Sequence, residues 1–315
     1  MFSHLTADRI ATMKNVLIAG AGGGYDVVCG VPIATHLHSL GVNVHMASFS
    51  STPLNDVAEA VWHSDTLLEV TPQSHRPSYF PEGWLSQWLA QTGANSSVWC
   101  FAASGVGPLH ESYQYLIDCL NLDTIILVDG GVDSLLRGDE HALASALEDA
   151  VSMAAVNLLD GPEKLLVATV FGAERLDGIS HAQVLARVAE LSREQAFLAA
   201  EALIPGTAEA DAFMDCAGHI LSNQQGMHQS VVCASLAAAI QGRFGDTQVN
   251  PYTANTPPWI SPLMLLYWWF DLDTVARQNL YLSRLIPTRT YDDAVIRLGE
   301  YMRTRPKRGW EGIPI

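Results

Sequence analysis

The sequence predicts a three-layer α/β/α fold: a doubly wound, mostly parallel sheet with helices on both faces, followed by a helical C-terminal part. Two observations support this prediction. Short apolar runs alternate with amphipathic helical runs over the first two-thirds of the chain, which is typical of parallel strands joined by helices. After Pro205 the strand patterns weaken and helical segments dominate. We therefore expect an α/β domain at residues 1–204 and a mainly helical part at 205–315 packed on it, or one continuous domain.

The predicted strands are short apolar segments bounded by turn residues. The first is a continuous apolar run that stops at Gly20, as a buried parallel strand does. In chain order the strands are predicted at residues 14–20, 42–49, 66–70, 97–103, 124–129 and 164–171.

The predicted helices lie between these strands and fill the C-terminal part. Gly41 stops the first helix, and Ser180 with Gln183 fits a capping box at the start of the longest one. In chain order the helices are predicted at residues 28–40, 56–63, 82–91, 109–120, 142–159, 180–204, 231–241, 263–270, 274–284 and 291–303. The alternation is that of a Rossmann-like sheet, in which ligands bind at the carboxyl ends of the strands.

The composition excludes several classes of protein. The chain has 315 residues with 33 acids and 17 bases, a net charge of −16, and 49% of its residues are hydrophobic. It is too apolar to be disordered, and its charge repels a phosphate backbone, so we expect no nucleic-acid partner. The apolar run 259–270 is too short to span a bilayer and the first residues lack a signal-peptide pattern, so we expect no membrane partner. The five cysteines form no C-x-x-C pair, which favours reduced thiols in a cytoplasmic protein.

A glycine-rich turn follows the first predicted strand and precedes a helix. At Gly20, Gly22, Gly23 and Gly24 the backbone N–H groups can approach an anion, and the helix N-terminus adds partial positive charge. We expect this turn to contact a ligand. Asp26 is unusual there, because its carboxylate repels an anion. It can bind a metal, an amine or a hydroxyl, or cap the helix.

The turn matches a dinucleotide-binding fingerprint only in part. Tyr25 stands where a glycine is expected, and the second strand ends without an acid to hold ribose hydroxyls. NAD(P) is therefore less favoured as a cofactor than Mg²⁺ or another divalent cation. A second loop, with Gly105 and Gly107, follows the strand at 97–103 and should add backbone donors at the same edge.

The acidic loop after the strand at 124–129 is the strongest candidate for a catalytic site. It contains four carboxylates and one arginine, namely Asp129, Asp133, Arg137, Asp139 and Glu140. Such a loop can bind a divalent cation through Asp129, Asp133 and Asp139, hold a cationic group of a substrate, or raise one carboxyl pKa to make a general acid. Arg137 can pair with one of these acids or with a substrate anion. The alternative is a solvated loop in which Asp139 caps the next helix.

A third loop follows the next predicted strand and should reach the same edge. His181 lies at a helix start and can act as an acid or a base, because histidine titrates near neutral pH. The alternative is an ordinary, half-exposed helix N-terminus. Glu174 and Arg175 in this loop can simply pair with each other.

The sequence resembles a group of bacterial and archaeal proteins classified as domain of unknown function 1152. The matching stretches are AGAGGGYDVV, VDGGVDSLLRGDE with LASALEDAVSMAAV, FGAERLDGISHA and SPLMLLYWWFDLDTVARQNLYL. They span most of the chain. The resemblance implies a Rossmann-like fold and supplies no reaction. Residues 174–176 depart from the form expected of this group, which argues against a catalytic role for them.

Three functions stay open at this point. The first is a small-molecule enzyme of hydrolase or group-transfer type, which binds a phosphate- or carboxylate-bearing metabolite or a nucleotide at the glycine turn and uses the acidic loop for catalysis or metal binding. The second is an NAD(P)-dependent oxidoreductase with a degenerate fingerprint. The third is a non-catalytic ligand sensor or assembly protein whose interaction face is the aromatic segment 259–270.

We also expect a homo-oligomer, in which residues 259–270 form core or subunit interface. The chain end differs in charge from the rest, because residues 271–315 carry eight bases and six acids. This basic tail is expected to fold onto the acidic body of the protein or onto a neighbouring subunit.

Overall fold

The computed structural model describes residues 9–76, 78–224 and 229–314. Its centre is a mixed, mostly parallel sheet flanked by helices, which confirms the predicted three-layer α/β/α class. Within these ranges, every helix is too short or too polar to cross a membrane.

Nine strands of the described chain form the central sheet. They are β1 (Asn15–Gly23), β2 (Asn43–Phe49), β3 (Val61–Ser64), β4 (Leu67–Val70), β5 (Val98–Phe101), β6 (Thr124–Asp129), β7 (Glu163–Ala168), β8 (Phe197–Ala202) and β11 (Leu266–Asp271). Two short strands, β9 (Gly245–Asp246) and β10 (Trp259–Ile260), pair with each other. The first strand extends past its predicted end at Gly20, with an irregular pairing to β2 before Gly23.

The strand order is β3-β4-β5-β2-β1-β6-β7-β11-β8. Strands β5, β2, β1, β6 and β7 are parallel, whereas β4 and β11 run antiparallel to the strands that flank this parallel core. The chain moves outward from β1 through β2 to β5, and then returns to place β6 on the other side of β1. The carboxyl ends of β1 and β6 therefore lie at a topological switch point, where open α/β sheets bind ligands.

Eleven α-helices are found in the described residues. They are α1 (Asp26–Cys29), α2 (Val31–Ser39), α3 (Pro81–Thr92), α4 (Val106–Leu120), α5 (Ala146–Asn157), α6 (His181–Arg193), α7 (Ala208–Asn223), α8 (Val231–Ile240), α9 (Leu272–Gln278), α10 (Leu282–Leu285) and α11 (Tyr291–Thr304). Two short 3₁₀ turns, Asp133–Leu135 and Ala173–Asp177, follow β6 and β7.

The two central strands supply side chains to a hydrophobic core on each face of the sheet. Leu17 of β1 and Ile125 of β6 are fully buried in one core. Their neighbours Ile18 and Ile126 are fully buried in the other. Because both faces are covered, these strands must be apolar at consecutive positions, and that is the continuous pattern from which they were predicted.

Two predicted helices are wrong in the second half of the chain. Helix α6 ends at Arg193, and the later part of the predicted helix 180–204 forms β8 instead. Most of the predicted helix 263–270 lies in β11. Strand β11 pairs antiparallel with both β7 and β8. These hydrogen bonds between distant segments outweigh local residue preferences that also suit a helix.

Strand β11 also connects the two predicted parts of the chain. It lies between β7 and β8, so residues 1–204 and 205–315 contribute to one sheet.

Helix α7 was not among the predicted elements. The predicted helix 56–63 is wrong as well, because a 3₁₀ turn at Leu54–Asp56 and strand β3 occupy this region.

Candidate functional site

Five carboxylate side chains meet at the carboxyl ends of β1 and β6. We call them the acidic cluster: Asp26, Asp129, Asp133, Asp149 and Glu174. Asp129 ends β6, and Asp133 begins the 3₁₀ turn that follows. Asp26 begins α1, Asp149 lies in the first turn of α5, and Glu174 lies in the 3₁₀ turn after β7. Asp26 is half-buried and the other four are buried, so the cluster opens outward at Asp26.

The carboxylates form two overlapping groups of three. One oxygen each from Asp26, Asp129 and Asp149 lies within 4.8 Å of the other two, and the same holds for Asp129, Asp133 and Glu174. Asp129 belongs to both groups and thus lies between them.

Glycines make this close approach possible. A Cβ atom added to Gly22 would lie 2.7 Å from Asp26 Oδ2 and 3.1 Å from Asp149 Oδ1. A Cβ added to Gly130 would lie 2.6 Å from Asp26 Oδ1, and one added to Gly131 would overlap the Glu174 carboxylate. The glycines that follow β6 therefore provide space for carboxylates from other parts of the chain.

The hydrogen-bond donors to the cluster are neutral. Gly22 N–H donates to Asp26 Oδ2 at 2.8 Å, and Ser134 N–H donates to Asp129 Oδ2 at 3.1 Å. Asp133 accepts from the backbone and the hydroxyl of Ser145, and Val132 N–H donates to Glu174 Oε1 at 2.8 Å.

No positive charge compensates the cluster within the described chain. None of its five carboxylates forms an ion pair with an arginine, lysine or histidine of the described residues. Two buried oxygens, Asp149 Oδ1 and Glu174 Oε2, also lack a hydrogen-bond partner there. Burying an uncompensated carboxylate is costly, so the cluster requires protons or a bound cation.

The pKa values of the cluster reflect this environment. Burial is the main cause that raises the pKa of Asp26 and of Asp129 to about 7 and that of Asp133 to about 8, and neighbouring carboxylates raise them further. The same two causes raise the pKa of Asp149 and of Glu174 well above the usual range of carboxyl groups. Without a bound cation, the cluster therefore retains protons near neutral pH. Its donor atoms are all carboxylate oxygens, which suit Mg²⁺, Mn²⁺ or Ca²⁺.

Three of the residues predicted from sequence, Asp26, Asp129 and Asp133, lie in the cluster, whereas Asp139 and Glu140 lie elsewhere. Both of these carboxylates contact Nη2 of Arg308, each at 3.2 Å. Glu140 is buried and also accepts from two backbone N–H groups of its own loop. The predicted acidic loop thus divides into a part that faces the cluster and a part that binds the C-terminal tail.

Arg137 does not join the cluster. Its backbone N–H donates to Glu140 at 2.9 Å, and its carbonyl accepts from Leu280 N–H at 2.8 Å. Its guanidinium forms no ion pair with any described acid.

The basic tail folds onto the acidic body of the same chain, as one of the two predicted alternatives states. The Arg305 guanidinium donates to the carbonyls of Gly138, Glu140 and His141. The tail is further held by hydrogen bonds from the side chains of Ser180 and Gln183 to backbone carbonyls near the chain end.

The predicted glycine turn surrounds Asp26. Gly20 packs closely on α1, since an added Cβ would lie 2.8 Å from the amide nitrogen of Val27. Gly24 has a φ of +76°, a conformation that favours glycine, and lies near the Tyr79 hydroxyl. The Gly22 N–H that was expected to bind an anion donates to Asp26 instead.

The structure places the second glycine loop against the C-terminal part. Gly105 N–H donates to the Arg289 carbonyl at 3.3 Å, and Gly107 N–H donates to the Thr288 carbonyl at 3.0 Å. A Cβ at Gly105 would lie 2.6 Å from the Thr288 backbone. These two N–H groups therefore serve packing within the chain, and they are not free donors for a ligand.

His181 is the first residue of α6 and lies outside the cluster. Its ring packs on Phe171, with centroids 5.0 Å apart, and its Nε2 has no hydrogen-bond partner in the described chain. Burial, and then the positive charge of Arg175, lower its pKa. His181 is not among the described side chains whose ligand atoms group within 4.8 Å.

Two members of the cluster, Asp149 and Glu174, were not predicted from the sequence. The expected pairing of Glu174 with Arg175 is wrong: Glu174 turns inward, and Arg175 pairs with Asp246 at 3.2 Å. The sequence did contain a signal for Glu174, because this residue comes just after β7, at the edge of the sheet where ligands bind. Asp149 gave a weaker signal, because an acid in the first turn of a helix is common for reasons of helix stability alone.

Neither a curated protein nor a solved structure matches the chain. The model of a family described as "Protein of unknown function (DUF1152)" matches residues 17–304, which contain the whole acidic cluster. The chain therefore belongs to the DUF1152 family.

Proposed function

We propose that this protein is a divalent-cation-dependent enzyme that hydrolyses or transfers a phosphate group of a small metabolite, with the acidic cluster as its metal centre. One observation carries the proposal: five carboxylates converge at the switch point of the sheet. Within the described part of the chain, none of them forms an ion pair with a basic side chain. Such positions are where open α/β sheets bind ligands.

The energetics of burial support a cation. A buried carboxylate that lacks a partner is unfavourable, and several of them close together repel one another. A divalent cation would compensate these charges and give a partner to Asp149 Oδ1 and Glu174 Oε2. The neutral donors around the cluster would then keep the remaining oxygens in place.

The arrangement of the cluster supports two adjacent cations. Each group of three carboxylates offers one position, and Asp129, which belongs to both, would bridge them. Pairs of divalent cations stabilise the attacking and leaving oxygens when a phosphate group is displaced. Such a pair of cations therefore suits the hydrolysis or transfer of a phosphate group.

The glycine turn has a different role in this proposal from the one expected from sequence. The N–H of Gly22 already donates to Asp26, and a phosphate beside these carboxylates would be repelled unless cations lay between them. The phosphate would thus bind to the cations at the open side of the cluster, beside Asp26. The carboxylates beside the glycine turn also disfavour an NAD(P) pyrophosphate bound directly by the turn.

A cytoplasmic location is also part of the proposal, because all five cysteines are unpaired.

Phosphate release tests the proposal. The purified full-length protein is stripped with EDTA, and inorganic phosphate is measured with p-nitrophenyl phosphate, AMP and ATP, before and after Mg²⁺ or Mn²⁺ is restored. We expect release from at least one probe only with a cation. Asp129→Asn should abolish it, whereas Asp139→Asn, which alters an acid paired with Arg308, should retain it. Equal release without a cation, equal loss in both variants, or no release from any probe would count against the proposal.

A further inference from the structure

A cavity of about 300 Å³ lies at the carboxyl ends of β2 and β5. One wall is the loop after β2, which contributes Ser51 and Asn55. The opposite wall is the β3–β4 hairpin, which contributes Trp62 and Asp65. A second cavity of about 540 Å³ shares Asn55, Trp62 and Asp65 with the first. Together they offer the size of a small-molecule site.

Hydrogen bonds hold the inner part of the cavity lining in place, whereas the polar side chains of its outer part can contact a ligand. Thr52 donates to the fully buried carboxylate of Glu82 at 2.9 Å, as does Ser48 at 3.2 Å. In contrast, the side chains of Ser51, Asn55 and Asp65 are exposed, and none of them has a hydrogen bond or ion pair with the described residues. Trp62 is 40% exposed and makes no ring contact there.

The cavity and the acidic cluster are neighbours along β1. Gly22 adjoins the cluster, since a Cβ added there would lie 2.7 Å from Asp26 Oδ2. Gly23 adjoins the cavity, since a Cβ added there would lie 2.5 Å from Ser51 Oγ. Consecutive Cα atoms are about 3.8 Å apart. A molecule that fills the cavity as far as Gly23 would therefore come close to the open side of the cluster at Asp26.

We propose that this cavity binds the nucleoside part of a phosphorylated substrate, so that the substrate class of the enzyme is a nucleotide. The inference rests on the proposed function, because the phosphate would lie at the cation site in the acidic cluster. The base would stack on the exposed face of Trp62, and the ribose hydroxyls would donate to Asp65 and Asn55. Strand β2 ends without a ribose-binding acid, and Asp65 supplies one from the β3–β4 hairpin.

The charges of the cavity and of the acidic cluster determine which end of the substrate binds at which of these two sites. Asp65 makes the cavity unfavourable for a phosphate but suitable for hydroxyl donors. The cations that we propose at the cluster would attract the phosphate. The flat, exposed indole of Trp62 suits an aromatic base, since base–aromatic stacking contributes appreciably to binding. A nucleoside phosphate has these three parts in the required order.

Calorimetric titration of the Mn²⁺-loaded protein tests the inference with AMP, ribose 5-phosphate, inorganic phosphate and adenosine. AMP should bind on the order of tenfold or more tightly than ribose 5-phosphate. Trp62→Ala should remove this advantage and leave the affinity for inorganic phosphate unchanged. Asp65→Asn should weaken AMP and ribose 5-phosphate equally. The matched control is Trp259→Ala, which removes a tryptophan of the same 40% exposure that packs on Phe244 outside the cavity.

Failure of this inference can be told apart from failure of the proposed function. If AMP binds no more tightly than ribose 5-phosphate or inorganic phosphate, or if Trp62→Ala binds AMP like the wild type, the nucleoside site is contradicted while the metal centre stands. If the protein binds no Mn²⁺ but still binds adenosine in a way that Trp62→Ala abolishes, the metal centre is contradicted while the nucleoside site stands.

Discussion

The carboxylates of Asp129 and Asp149 lie within 4.8 Å of each other. The first ends the central strand β6, and the second lies in the first turn of α5. Both are buried, and Asp149 Oδ1 has no hydrogen-bond partner in the described chain. Two like charges at this distance are unfavourable away from water, so the fold accommodates them only with protons or a cation between them.

The stability of the metal-free protein should fall as the pH rises from 5 to 8. The pKa is about 7 for Asp26 and Asp129 and about 8 for Asp133 in the folded protein, against about 4 in an unfolded chain. Between these values the folded state holds protons that the unfolded state has released. The free energy of unfolding therefore decreases by about 1.4 kcal/mol per pH unit for each such proton.

Urea denaturation in EDTA at several pH values measures this dependence. The stabilisation from these groups is complete below about pH 4 and is lost as the pH passes through 7 to 8. Asp133→Asn should make the slope shallower by the contribution of one proton. A wild-type stability that is constant or increases over this range, or an unchanged slope in Asp133→Asn, would show that the cluster is not protonated as inferred.

Gly131→Ala should damage the cluster without changing its charge. The added methyl group would overlap the Glu174 carboxylate and lie 3.1 Å from Asp129 Oδ1, so Glu174 must move. We expect Mn²⁺ affinity to fall about tenfold or more, since removal of an outer partner of a metal ligand already costs 10- to 100-fold. The matched control is Gly218→Ala in α7, where nothing lies within 4 Å of the added Cβ. It should bind Mn²⁺ normally and gain up to about 1 kcal/mol of stability. Equal Mn²⁺ affinity in the two variants would argue against Glu174 as a ligand.

Arg305→Ala should destabilise the protein through the lost attachment of the tail. The guanidinium donates to the carbonyls of Gly138, Glu140 and His141. The Gly138 carbonyl also accepts from the Tyr301 hydroxyl, and a buried acceptor that is left unsatisfied costs about 1–3 kcal/mol. Arg297→Ala, which removes an exposed arginine 3.8 Å from Glu300, should cost less than about 0.5 kcal/mol. Urea denaturation compares the two. Equal effects would mean that the tail contributes no more than an ordinary surface ion pair.

The central fold was predictable because its signals are local. The strands β1 and β6 are buried on both faces and thus read as continuous apolar runs, followed by glycines or acids. The alternation of such strands with helices predicted the parallel sheet and the edge that carries Asp26, Asp129 and Asp133. By contrast, β8 and β11 depend on pairing with each other across more than sixty residues of chain, and residue preferences do not report such pairing.

The composition of the site was only partly predictable, for a related reason. Asp133 and Asp139 lie six residues apart in one acidic loop, yet Asp133 faces the cluster and Asp139 faces Arg308. Which way each carboxylate turns depends on partners that come from distant segments. In the same way, Asp149 and Glu174 reach the cluster through the packing of α5 and of the turn after β7. Gly130 and Gly131 were visible in sequence, but their role as space for the carboxylates of Asp26 and Glu174 was not.

Calorimetric titration of Mn²⁺ into the metal-free protein tests the central claim most directly. The wild type should bind two Mn²⁺ ions per chain. Asp129→Asn, which alters the carboxylate shared by both groups, should lower the affinity at both positions by more than about 100-fold, the upper loss seen when only an outer partner is removed. Asp139→Asn should bind like the wild type. If the wild type binds no Mn²⁺, or if Asp139→Asn loses as much affinity as Asp129→Asn, the acidic cluster is not a metal centre.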